Sequence, residues 1–188
     1  MKLLKLGLAS IIAAGALYAG TYNIDRSHSN VGFKIKHLLI TNVTGNFDKF
    51  SGSIEFDEKT KTVTAINGNI DVTSINTDNV KRDKHLQKDD FFDTAMYPNA
   101  SFKLNSIKDD KAYGILTIKD ISKEVALDFT FNGTAKDHRG NQKIGIELEG
   151  AIKRKDFGIK WDKSLDSGGA VLSNKVKLLI EIEANMVK

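Results

Sequence analysis

The sequence predicts an all-β domain: a single antiparallel eight-stranded barrel with a short helical excursion between two strands. Three observations predict it. Period-two alternation of apolar and polar residues runs through most of the chain. Short polar turn signals separate the alternating runs. One stretch, residues 73–99, alternates nowhere, and it sits between two runs that do.

The first apolar run stands apart from the fold. Met1–Ala19 opens with Lys2 and Lys5, continues apolar or small from Leu6 to Leu17, and closes on small residues before Gly20. That is the pattern of a secretory signal peptide, and the run is shorter than the ~20 apolar residues that span a bilayer. Residues 1–19 are therefore expected to be a cleaved leader and residues 20–188 a single domain. Export, as a secreted or periplasmic domain, follows as an expectation, with no stable membrane insertion.

The strands follow in order. Val31, Phe33 and Ile35 share one face while Lys34 and Lys36 take the other. Ser53–Asp57, Asn69–Thr73 and Ser101–Leu104 repeat the alternation. In Glu124–Asn132, Val125, Leu127, Phe129 and Phe131 face in, and Ala126, Asp128 and Thr130 face out. Ile144, Ile146, Leu148 and Ile152 share a face, as do Val176, Leu178, Ile180, Ile182 and Ala184. One wet face per strand implies antiparallel pairing. Asp57–Lys61, Asp109–Lys111 and Asp137–Asn141 are the connections, and Ser167–Gly169 is a flexible loop. Long strands on short hairpins suit a closed barrel, which removes sheet edges. A two-sheet sandwich is the alternative.

In residues 73–99, Asn76 or Thr77 is placed to cap a short helix running to Gln87, and Asp89 or Asp90 a second turn holding Phe91 and Phe92. The helix is nearly all polar, so it cannot be a core helix. Its apolar sequel, Phe91, Phe92, Met96 and Tyr97, needs somewhere to bury. A helical excursion lying over one end of the barrel meets both demands, and Pro98 marks the return to strand.

Composition narrows the chemistry. The 188 residues include no cysteine, which excludes disulfides, thiolate metal sites and a thiol nucleophile. A formal charge of +4, with lysines interspersed among acids, does not read as a nucleic-acid binder. No nucleophile elbow, phosphate loop or zinc helix motif occurs. Four scattered histidines, His28, His37, His85 and His138, show no ligand spacing. Neither a metal nor a cofactor is expected. His37 continues the inward face of Val31, Phe33 and Ile35, as a core histidine or as a polar anchor at the mouth of a cavity. Alternation alone leaves open whether the inward aromatics fill the barrel or line it.

Several stretches resemble the YceI-like, polyisoprenoid-binding family. They are His28–His37 with Thr44–Phe47, Lys81–Leu86 with Asp90–Asp93, Tyr97–Phe102, Gly114–Lys123 and Arg154–Gly158, in that order along the chain. Asp120 stands where a glycine is usual in that family, implying a somewhat different turn. The resemblance implies a lipocalin-like barrel that holds a long-chain amphiphilic lipid, a polyisoprenoid or a fatty-acid-like molecule, in its lumen as a carrier without catalysis. An enzyme acting on a sequestered lipid and a ligand-free interaction protein are the alternatives; a homodimer stays open. Expected contacts to the tail come from Phe33, Ile35, Phe47 and Phe56, from Phe91, Phe92 and Phe102, and from Leu127, Phe129 and Ile146. His37, Arg82 and His85 are expected at the head group, with Trp161 as a rim aromatic.

Overall fold

The computed structural model describes residues 19–164 and 171–187. The leader, apart from Ala19, and the Ser167–Gly169 loop lie outside the described residues.

Eleven strand segments make eight antiparallel staves among those residues. β1 (Ala19–Ile24) and β2 (Asn30–His37) form one broken stave, β3 (Thr41–Phe47) and β4 (Phe50–Asp57) a second, and β5 (Thr62–Asp71) with β6 (Ile75–Asn76) a third. β7 (Asn99–Lys108), β8 (Lys111–Ile118), β9 (Ile121–Lys136), β10 (Gln142–Lys153) and β11 (Leu172–Met186) complete the barrel. Closure falls on β11. Its first half pairs with β2, as in Val176↔Ile35 and Ile180↔Val31, and its second half with β1, as in Ala184↔Ile24. The barrel expectation therefore holds, and the sandwich alternative does not.

The breaks are built by short polar side chains. The Asp25 carboxylate accepts from the Ser27 N–H at 3.1 Å, turning the chain between β1 and β2. Asp71 does the same for the Thr73 N–H at 3.0 Å between β5 and β6. Opposite it, the Lys49 N–H donates to Ser74 Oγ at 2.9 Å and the Asp71 N–H to the Lys49 carbonyl at 2.9 Å, so two breaks brace each other. Such local side-chain bonds offer the backbone an alternative to the strand ladder.

The helix begins later than the sequence suggests. α1 covers Val80–Leu86 and its cap is Asn79, whose side chain accepts from the Arg82 N–H at 3.0 Å. Thr77 cannot cap, because its hydroxyl donates to Asp83 and accepts from Arg82 Nε at 2.7 Å.

The two barrel ends differ. Connections 58–61, 109–110 and 137–141 lie at one end, and 38–40, 77–98, 119–120 and 154–164 at the other. The first end is solid. Tyr22, Ile54, Phe56, Ala112, Ile144 and Ala184 are all but fully buried there. Phe56 stacks on Phe131 at 5.1 Å and meets Tyr22 edge-on at 6.0 Å. The Tyr22 hydroxyl escapes burial cost by donating to Glu58 at 2.6 Å. Burial and the neighbouring Glu58 carboxylate raise its pKa far above the usual phenol value.

Candidate ligand-binding cavity

Above the solid floor the barrel is hollow. The cavity measures about 410 Å³ and its wall is almost entirely apolar, within the ~300–1,000 Å³ usual for small-molecule sites. On β10 the wall runs from Ile146 to Ile152. At about 3.4 Å per residue and a strand tilt of roughly 40°, that is about 15 Å of depth. Alternation supplies most of it: Phe33 and Ile35 on β2, Phe102 on β7, Leu127 on β9, Ile146 and Leu148 on β10, Leu178 and Ile180 on β11.

Two glycines let large rings lie flat against the wall. A Cβ on Gly45 would sit 2.6 Å from Phe33 Cζ, and one on Gly114 2.5 Å from Phe102 Cζ. Neither position could carry any other residue without moving the ring, so these glycines shape the wall.

The excursion after β6 lies across the open end. Phe91 is buried and stacks on Trp161, and Phe92 meets Phe47 edge-on at 6.2 Å. His85 sits edge-on to both Phe91 and Trp161, while its Nε2 is 3.0 Å from an Asp90 carboxylate oxygen. Lys119 Nζ donates to the Phe91 carbonyl at 2.8 Å, tying the β8–β9 turn to the excursion.

Arg154 organises the other flank. It is 3% exposed, and its guanidinium donates to the carbonyls of Ile159 (3.0 Å), Trp161 (2.6 Å) and Ser173 (2.9 Å), with Leu172 at 3.4 Å. One planar fork thus gathers the chain after β10 and the start of β11. Burial lowers its pKa somewhat, and an arginine so high to begin with stays cationic. Among the described residues, the polar members of the wall are His37, Ser51, Thr77, Arg82, His85 and Arg154, with no carboxylate among them.

Of the residues expected at a ligand, Phe33, Ile35, His37, Phe47, Arg82, His85, Phe91, Phe92, Phe102, Leu127, Ile146 and Trp161 border the cavity. Phe56 and Phe129 do not, which corrects their placement. Phe56 is spent in the floor. Phe129 lies beyond the start of β8, where its N–H donates to the Asp110 carbonyl at 2.8 Å, so it packs at the closed end. Sequence reasoning missed Arg154, Phe157, Ile159, Val171 and Leu172. They lie where alternation stops, and the one signal was the Arg154–Gly158 motif.

A second cluster forms outside the barrel. His28 Nδ1 lies 3.0 Å from Asp25 and 3.6 Å from Glu183, a trio with metal-ligand geometry that the scattered histidines did not announce. Lys143 Nζ already bonds Glu183 and reaches Asp25 at 3.5 Å, so an ammonium stands where a cation would. Hydrogen bonds from Ser27 and then His28 outweigh burial and hold the Asp25 carboxyl well below the usual range.

The chain matches known proteins along almost all of the barrel. The model of the YceI-like domain matches residues 22–184. The UPF0312 protein of Staphylococcus aureus strain N315 is 37% identical over 157 residues, 83% of this chain and 92% of that one. The crystal structure of the Campylobacter jejuni YceI protein is 42% identical, with a TM-score of 0.72 over 87% of this chain and 96% of that one. A polyisoprenoid binding domain from Saccharophagus degradans is 17% identical, with a TM-score of 0.68 over 88% of this chain and 98% of that one, and it shares the fold.

Proposed function

The chain belongs to the YceI-like family, and from that premise we propose that it is a periplasmic carrier of a long-chain amphiphilic lipid, without catalysis. The observation that carries this reading is the deep apolar cavity, closed by an aromatic floor and opening beside cationic and imidazole side chains. The tail lies along Phe33, Ile35, Phe47, Phe102, Leu127 and Ile146, with Phe91 and Phe92 over it. The head group stays at the mouth near His37, Arg82, His85 and Trp161, where donors and water satisfy it. The polyisoprenoid binding domain with the same fold supports an isoprenoid tail; a fatty-acyl tail meets the same wall.

The energetics suffice. Burying ~300–400 Å² of tail at about 25 cal/mol per Å² gives on the order of 8–10 kcal/mol before ordering costs. No covalent chemistry is needed to hold such a ligand. Among the described residues no helix is long and apolar enough to cross a membrane. Export of residues 20–188 after removal of Met1–Ala19 supplies the compartment.

Native mass spectrometry of the exported protein tests both parts. The expected result is a polypeptide starting near Gly20 with an amphiphile that dissociates on activation. A protein that retains Met1–Ala19 overturns the localisation. One that stays empty and takes up no lipid overturns the carrier role, and conversion of the bound lipid would make it an enzyme.

A further inference from the structure

A glycine inside a strand weakens it, having no side chain to pack and the most backbone freedom to lose, so each one calls for a reason. Among the described residues nearly every glycine of this barrel has one. A Cβ on Gly45 or Gly114 would meet a phenylalanine ring, one on Gly150 would stand 2.5 Å from Leu127, and one on Gly52 2.2 Å from the Asn67 carbonyl. Gly133 and Gly140 have open space around them but φ of 112° and 79°, which other residues rarely adopt. Gly68 has neither reason. Its φ lies outside the left-handed region, and no atom lies within 4 Å of where its Cβ would stand.

The empty space at Gly68 is lumen. β5 alternates, with Asn67 and Asn69 exposed and Ile66, Gly68 and Ile70 bordering the cavity. On one side Gly68 pairs with Gly52 of β4, where Ile24 and the Asn67 carbonyl already crowd the gap. On the other side it pairs with Phe102 of β7. That ring leans the opposite way, over β8, with its Cζ 2.5 Å from where a Gly114 Cβ would be. Gly114 thus draws the largest neighbouring side chain off Gly68. What remains is a recess of bare backbone at mid-depth, with Ile70 towards the mouth and Ile66, the partner of the floor residue Ile54, below it.

We propose that Gly68 is the specificity-determining position of the cavity: its recess admits a methyl branch of the tail, so the protein prefers a methyl-branched chain to a straight one of the same length. This rests on the carrier reading. A straight chain has no group to place in the recess, and the void it leaves forfeits dispersion contacts with the recess walls. A branch methyl fills that void and buries further apolar area. One carbon that fits or fails to fit an apolar pocket is worth roughly 10–200-fold in discrimination. The choice of residue points the same way. Alanine at this position would suit the strand better and meet no atom, so the glycine is a local rule broken without a packing gain, which marks a functional position.

Acids that share one head group test this: phytanate, hexadecanoate of the same main-chain length, and eicosanoate of the same carbon number. Each is titrated, below micelle formation, against a bound fluorescent fatty-acyl probe on the unaltered protein, on Gly68→Ala and on Gly68→Val. The unaltered protein is expected to bind phytanate about tenfold or more tighter than either straight acid. That preference should shrink in Gly68→Ala and vanish in Gly68→Val, while Tm of Gly68→Ala rises by about 1–4 °C. The shrunken preference in Gly68→Ala decides the matter if Gly68→Val does not fold. Equal binding of the acids by the unaltered protein overturns the proposal, and so does a folded valine variant that keeps the preference. A Gly68→Ala variant that melts lower returns the glycine to a structural role and overturns it as well. Binding without preference removes this proposal alone, whereas a protein that binds neither the acids nor the probe removes the carrier reading and the proposal with it.

Discussion

Phe91 and Trp161 stack with ring centroids 5.4 Å apart and planes 23° from parallel, joining the excursion after β6 to the connection after β10. The two segments are distant in sequence and share no strand pairing. The Trp161 N–H adds a backbone bond to the Asp90 carbonyl at 3.2 Å. Together they roof one side of the cavity, and the chain's single tryptophan is thereby placed to report on it.

Shortening that roof should loosen a ligand. Phe92→Ala is expected to speed release of a fluorescent lipid probe more than it slows uptake, because interface truncations act mostly on dissociation. Replacing Phe91 as well costs fold stability, about 3–5 kcal/mol for a buried phenylalanine. Stopped-flow release with Trp161 emission as the second channel checks this, with circular dichroism to confirm the barrel. An unchanged release rate in a folded variant would assign these rings to packing alone.

The wall assignment of β9 can be tested by charge. Leu127 is 2% exposed and borders the cavity, whereas Ala126 beside it is exposed. Leu127→Lys is expected to cost about 3 kcal/mol or more, roughly 6–12 °C in Tm, and to abolish probe binding. Ala126→Lys should stay within about 0.5 kcal/mol. Thermal melts of the pair give the comparison, and equal effects would mean the alternation is misplaced.

Arg154 should be irreplaceable by lysine. Its fork reaches the carbonyls of Ile159, Trp161 and Ser173 at once, and an ammonium cannot span that spread. Arg154→Lys and Arg154→Met should both lose about 3 kcal/mol, because buried carbonyls are left without donors. Trp161 emission should shift red as its segment loosens. A lysine variant with unaltered Tm and emission would contradict the clamp.

Acid sensitivity should concentrate at Asp25. Its folded pKa is depressed by hydrogen bonds from Ser27 and His28, and it also faces Lys143 and Asn185. A depressed carboxyl contributes fully above its unfolded value of about 3.9 and loses that contribution as pH falls through the folded value. Tm of the unaltered protein should therefore fall more steeply below about pH 4 than that of Asp25→Asn, the two converging in strong acid. Asp137, lowered to about 2 chiefly by its bond from Asn141, is common to both proteins and cancels. Parallel curves would show that Asp25 contributes nothing through its charge.

The barrel was legible because strands with one wet face write period two into the sequence. β9, β10 and β11 keep it almost throughout, and so did their shares of the wall, Leu127, Ile146 and Leu178. Two kinds of feature escaped. Phe56 and Phe33 obey the same alternation, yet one fills the floor and the other borders the cavity; depth along a strand leaves no trace in period. Thr77 looked like a helix cap, but its hydroxyl bonds to Asp83 and Arg82, side chains that reach it only once the chain has folded back. Arg154 is the extreme case, since all its partners are backbone carbonyls that any sequence would provide.

The stacked Phe56 and Phe131 rings, with Tyr22 beneath them, make the barrel a blind bore. Traffic through a single opening is last in, first out, and a newcomer cannot push a resident molecule out of the far side. Exchange must then be dissociative: the occupant leaves at a rate set by its own contacts, indifferent to how much competitor waits outside. Concentration would govern only which molecule enters next, so a barrel loaded as proposed would keep its lipid through transient surges of other amphiphiles.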